Sequence, residues 1–224
     1  MVPSMTDIDV AATDRLLTTT RSVRRRLDFS RPVPLELIEE SLTVALQAPT
    51  GGNLQFWRWL VVTDPEQRAR IADAYVRAWN RYKAMAPAQQ YGDGDPRQRQ
   101  FQPMFDSSQY LAEHFAEVPA LVIPCLPDVP AEGSFFTVTY LACVLPAAWS
   151  FMLAARSRGL GTTLTTLTLM HDQEMAGILE LPDGIGHCAL IPVAYYTGDT
   201  FQRVERLPVR TVAYLDRWHQ AFPG

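Results

Sequence analysis

From Gly133 to Ala155 the chain carries no charged residue, a run of 23 positions in a 224-residue sequence. A bilayer-spanning helix needs about 20 apolar residues, so this run constrains the fold before anything else does. It is interrupted, because Pro146 stands inside it with Ser134, Thr137, Thr139 and Ser150 around it. Proline at a first helical position forfeits no hydrogen bond. The run therefore reads as an irregular stretch followed by a buried helix that starts at Pro146, and no membrane partner is expected. Hydrophobic residues at 47% and charged residues at 20% exclude global disorder. The opening fifteen residues hold Asp7, Asp9 and Asp14 and no apolar stretch, unlike a secretory leader. Cys125, Cys143 and Cys188 form no CxxC pair and read as reduced thiols, which points to a cytoplasmic chain. A formal net charge of −4 gives no pull toward nucleic acid, so any anion site has to be built locally.

The periodicities alternate. A first helix is expected near 11–20, and Pro34 opens a second, with Leu37, Ile38, Ser41, Leu42, Ala45 and Leu46 at helical spacing. Thr50 to Asn53 is a loop by composition, and 57–62 is a strand. Asp64-Pro65-Glu66-Gln67 starts a third helix with an N-cap and a proline at the next position, and its buried face holds Ile71, Ala74, Tyr75, Ala78 and Trp79. Between Ala84 and Gln109, three prolines and two glycines break the pattern, so 84–109 reads as a mobile cover of the kind that often lies over a site. A helix resumes near Ser108, a strand covers 120–124, Arg158 to Gly161 carries a helix stop, 162–168 is extended, 171–179 is a short helix and 188–196 a last strand. Residues 1–224 form one α+β domain on this reading.

No Walker loop, GxGxxG turn, HExxH helix or GxSxG elbow occurs. His114, His171, His187 and His219 lie far apart and predict no metal site. Three segments stand out. Arg21 to Arg26 holds four arginines around Ser22 and Val23, suited either to a solvated basic face or to a planar anion gripped by guanidinium forks. Pro49, Thr50, Gly51 and Asn53 form a loop that fits either an ordinary connection or close backbone approach to a flat ligand. The threonines from Thr162 to Thr168 make either an edge strand or a hydroxyl-lined wall.

These segments, RSVRR, then APTGGN ahead of WRWLVVTDPEQR, then PAAWSFMLAARSRGLGT and ALIPVAYYTG, stand in the same order as in the FMN-dependent nitroreductase superfamily, which the chain resembles from about Leu16 to Trp218. The nearest likeness is to the branch that includes relatives of iodotyrosine deiodinase. The resemblance implies an α+β fold, a mostly antiparallel central sheet flanked by helices, in a homodimer with FMN at the subunit interface. It implies that Arg21, Ser22 and Arg24 hold the ribityl phosphate and the N1–O2 edge of the flavin. Pro49, Thr50, Gly51 and Asn53 would contact the flavin, partly from the other subunit. Leu164, Thr165 and Thr166 would face the ring near N5, and Arg206 would reach the phosphate. Thr20 stands where many members have an arginine, which leaves Arg25 or Arg26 as substitutes. The Glu-Tyr-Lys set with which deiodinases grip an amino acid has no match.

The implied activity passes reducing equivalents from NAD(P)H through FMN to a flat, electron-poor small molecule such as a nitroaromatic or quinone. FMN would carry the redox chemistry, so no catalytic side chain is assigned. A non-catalytic flavin-binding protein for storage or sensing needs the same arginines and stays open beside it.

Overall fold

The computed structural model describes residues 8–85, 91–92, 94–127 and 135–221. Five of its six strands run in or beside the order β1 (Leu27–Asp28), β6 (Ile191–Tyr196), β3 (Ala120–Pro127) and β2 (Arg58–Val62), with β4 (Leu160–Thr162) paired to β6. The sixth, β5 (Ile185–His187), pairs with β3, and every one of these pairings is antiparallel. Side chains on successive strand residues point to opposite faces. Both faces of β3 are apolar, because helices cover each. Leu121, Ile123 and Cys125 meet α3 (Pro65–Met85), α4 (Pro96–Glu113) and α6 (Asp172–Ile178). Ala120 and Val122 meet α2 (Leu35–Ala45) and α5 (Phe135–Ser157). The mostly antiparallel α+β fold expected from the sequence is the one observed.

Asp64 caps α3 as its sequence requires, accepting a hydrogen bond from the Gln67 amide at 2.8 Å, and Ile71, Ala74, Tyr75, Ala78 and Trp79 are buried along one face. α1 (Val10–Thr19) is capped by Asp9, whose carboxylate accepts from the Ala12 amide. Boundaries shift elsewhere. The last strand begins at Ile191 rather than at residue 188, with the separate strand β5 ahead of it, β3 runs on to Pro127, and the extended stretch after β4 ends in a 3-10 turn over Leu167–His171.

Two expectations are overturned. α5 does not begin at Pro146; it runs from Phe135, with Pro146 inside. An internal proline removes the bond to the carbonyl four residues earlier, here Ala142, and both residues lie on the exposed side of the helix. Burial of Val144, Ala147, Ala148, Phe151 and Ala155 on the opposite side holds the helix together. By length and composition 137–157 passes for a bilayer span, but this buried face makes it the fold's central helix. The segment 84–109 is not without periodicity either. α3 continues to Met85, and α4 begins at Pro96, behind Asp95 as N-cap. Of the expected cover, residues 86–90 and 93 lie outside the described residues.

Candidate functional site

Position begins at β4. Ser22 bridges Thr162, the Val23 amide donates to the Thr162 carbonyl at 2.9 Å, and Thr163 Oγ1 donates to the Val23 carbonyl at 2.7 Å. Gly161 permits this approach, since a Cβ there would stand 3.0 Å from Leu27 and 3.1 Å from Val23. The arginine segment is thereby fixed along the threonine segment, two stretches 140 residues apart in sequence.

An open cleft of about 720 Å³ follows from this arrangement. Arg21, Ser22, Arg24, Arg25 and Arg26 line one side, Arg99, Gln100, Pro103, Met104 and Ser107 of α4 another, and Thr200, Phe201 and Arg206 a third. Among the described residues, six arginines face the cleft and no carboxylate lines it. Arg26 is already engaged: its Nε donates to the Thr197 carbonyl at 2.6 Å, a second nitrogen donates to the Thr200 carbonyl at 2.9 Å, and its guanidinium lies 4.1 Å from the Phe201 ring centre. It anchors the segment that leads to Arg206 while still lining the cleft. Gly198 belongs to the same anchor, with φ +79 and a hypothetical Cβ 2.6 Å from Arg26 Nη2. The guanidinium groups of Arg21, Arg25 and Arg206 have no hydrogen-bond or ion-pair partner among the described residues.

Arg24 joins this cleft to a smaller one of about 160 Å³, lined also by Tyr75, Trp79, Phe105, Thr163, Leu164 and Thr165. Its Nη1 donates to Ser107 Oγ at 3.5 Å. Burial pulls the guanidinium below its ordinary pKa, with neighbouring Tyr75 opposing the shift. Burial likewise raises the Tyr75 phenol, offset in part by a hydrogen bond with the Thr165 side chain and by the Arg24 charge. Arg24, Leu164 and Thr165 thus meet in one place, as the sequence reading requires. Thr166 is exposed and lines neither cavity.

The loop Pro49, Thr50, Gly51 and Asn53 lies elsewhere. Gly51 donates its amide to Cys143 Sγ of α5 at 3.4 Å, and the loop lines neither cavity. Gly51 lies close to Thr139 and Cys143 of α5, a helix whose exposed side carries an apolar stripe of Val138, Leu141, Leu145 and Trp149. The thiols take no part in chemistry here. Burial pushes Cys125 up to about 11 and Cys188 to about 12, so both stay protonated near neutrality.

Sequence reasoning put 84–109 over a site but missed that α4 forms there, and it read Tyr75 and Trp79 as core rather than as lining. The signal for α4 was present, since Asp95-Pro96 repeats the Asp64-Pro65 start, and Phe101, Met104, Phe105, Ser108, Leu111, Ala112 and Phe115 keep helical spacing.

An α+β sheet protein with an arginine-walled cleft at its edge is the class these features define. The chain belongs to the Nitroreductase family, whose model matches residues 17–195. It is 28% identical over 178 residues to an iodotyrosine deiodinase of Haliscomenobacter hydrossis, covering 78% of this chain and 75% of that one. A nitrobenzene nitroreductase of Ectopseudomonas oleovorans is 27% identical over 185 residues, covering 76% and 80%. Among solved structures, an FMN-dependent nitroreductase of Mycobacterium smegmatis in complex with NADPH superposes with a TM-score of 0.68 at 17% identity, covering 92% of this chain and 99% of that one.

Proposed function

We propose that the chain is an FMN-dependent oxidoreductase that takes reducing equivalents from NAD(P)H and passes them to a flat, electron-poor acceptor such as a nitroaromatic or quinone. The observation that carries this reading is the cleft itself. Uncompensated guanidinium groups at Arg21, Arg25 and Arg206 suit a phosphate monoester, and the cleft leads through Arg24 to a pocket with aromatic walls that suits a ring. The residues present therefore fit FMN. FMN, when bound, supplies the redox chemistry, and the protein supplies binding, orientation and electrostatics.

Each residue has a task in that division. Arg21 and Arg206 neutralise the phosphate. Arg24, steadied by Ser107, would bring positive charge to a bound flavin ring and so favour its reduced, anionic form. Thr165, whose backbone is fixed by bonds to Leu190 at 2.8 and 2.9 Å, would offer its hydroxyl to the same ring. Pro49, Thr50, Gly51 and Asn53 serve the site of a second copy of the chain. α4 covers the open side and selects the acceptor. A deiodinase is among the relatives, but the absence of a Glu-Tyr-Lys match argues for an acceptor without an amino-acid head group.

The test is an absorbance spectrum of the purified protein, mass analysis of the released chromophore, and stopped-flow bleaching by NADPH followed by reoxidation with menadione or a nitroaromatic. A yellow protein that releases FMN and cycles supports the reading. A colourless protein that binds no added FMN sinks it, and FMN that never bleaches makes the chain a storage or sensing protein.

A further inference from the structure

Arg99 stands apart from the other cleft arginines because it comes from α4, roughly eighty residues downstream of the Arg21–Arg26 segment it faces. Its guanidinium donates to Glu205 Oε2 at 2.9 Å, and on the same helix Gln100 Nε2 donates to the Glu205 backbone carbonyl at 3.0 Å. These two bonds fasten the α4 end of the cleft to the irregular segment carrying Arg206. The ion pair is open to water, with 73% of the Arg99 side chain and 61% of the Glu205 side chain exposed. Such a pair contributes little and exchanges readily for a stronger partner. Glu205 does not line the cleft, whereas Arg99 does.

The cleft also has a direction. Arg24 and Ser107 mark the end that opens on the aromatic pocket, and Arg99 with Arg206 marks the other. Eight residues of helix separate Ser107 from Arg99, about 12 Å along the axis. A ligand with its ring at the Arg24 end projects its chain and terminal phosphate toward the arginines of the far end.

We infer that Arg99 is a phosphate ligand of the flavin, held in reserve by Glu205 and released to the phosphate when FMN enters. The inference rests on the FMN reading above and adds to it a residue and an exchange of partners. α4 is then part of the cofactor site at its Arg99 end, while Met104 and Phe105 remain beside the ring. A dianionic phosphate receives two charge-assisted bonds from a planar guanidinium where the single exposed carboxylate received one. Arg99 leaves Glu205 with its solvation intact, since Glu205 stays exposed.

The experiment compares FMN with riboflavin, which lacks the phosphate, by fluorescence titration of the full-length protein stripped of flavin. Wild type, Arg99→Gln, Arg99→Lys and Glu205→Gln are used. If wild type binds FMN no better than riboflavin, the FMN reading itself fails. If wild type prefers FMN, Arg99→Gln should lose about ten- to hundredfold of that preference, with riboflavin affinity unchanged. Arg99→Lys should recover part of it, because one charge remains without the fork. Glu205→Gln should tighten FMN and leave riboflavin alone, because the competing carboxylate is gone. A preference for FMN in Arg99→Gln equal to that of wild type overturns the inference. Arg99 is exposed and packs against no core residue, so its variants fold.

Discussion

Arg206 and Arg26 look alike in sequence and differ in what they touch. Arg26 spends its donors on the carbonyls of Thr197 and Thr200, whereas Arg206 has none of its own committed among the described residues. Arg206→Ala should therefore cost the fold little and weaken FMN by about 1.5–3 kcal/mol, the worth of a charged hydrogen bond. Titration of the variant measures it, and unchanged affinity would remove Arg206 from the site. His187 belongs to stability rather than to the site. It is buried, its Nε2 lies 3.2 Å from Thr168 Oγ1, and burial holds its pKa below the ordinary 6.5, with Asp172 pulling the other way. A depressed folded pKa favours the neutral ring, so the contribution is present above about pH 6.5 and is lost as pH falls through the folded value. Urea midpoints measured from neutral pH down to roughly pH 5 should fall more steeply for wild type than for His187→Gln.

At the scale of elements, residues with strong local signals were legible and those with one contrary signal were not. α3 is read from Asp64 and Pro65 together with its apolar stripe, and all three agree. In α4 and α5 an internal proline, Pro103 or Pro146, outweighs a stripe that tertiary packing in fact enforces. Composition registers the proline, whereas the neighbours that make it tolerable come from other parts of the chain. The arginine and threonine motifs were legible for a related reason, because each is contiguous. What joins them, the β4 register and the α4 wall, is long-range pairing that no window contains. Met104 is the residue to test for acceptor choice, since it lines both cavities. Phe105 leans on Trp79 at 5.1 Å and Phe101 on Phe105, so both are largely spoken for by packing. Met104→Ala should leave FMN occupancy intact and change the ratio of rates with quinones and nitroaromatics. An unchanged ratio would mean that α4 does not govern the acceptor.

For the whole molecule, the question is what covers the second face of α5. One face is in the core, yet Val138 is 70% exposed and Leu141, Leu145 and Trp149 each about two-fifths, at helical spacing along the other. Leu54, next to the Pro49–Asn53 loop, is 63% exposed as well. A helix that is apolar nearly all round needs a partner for both faces, and a second copy of the chain, with an identical α5, would supply one. Two-fold pairing would bury the stripe against itself and carry each Pro49–Asn53 loop across to the other copy's arginine cleft, which the loop does not reach within its own chain. Assembly and cofactor binding should therefore fail together. Wild type is expected to sediment as a dimer at micromolar concentration. Leu145→Glu, which puts a carboxylate in the middle of the stripe, should shift it toward monomer and strip it of flavin, with far-UV circular dichroism unchanged because Leu145 lies outside the core. A wild-type monomer that keeps its flavin would show that the loop has no part in binding it and that the stripe is covered in some other way.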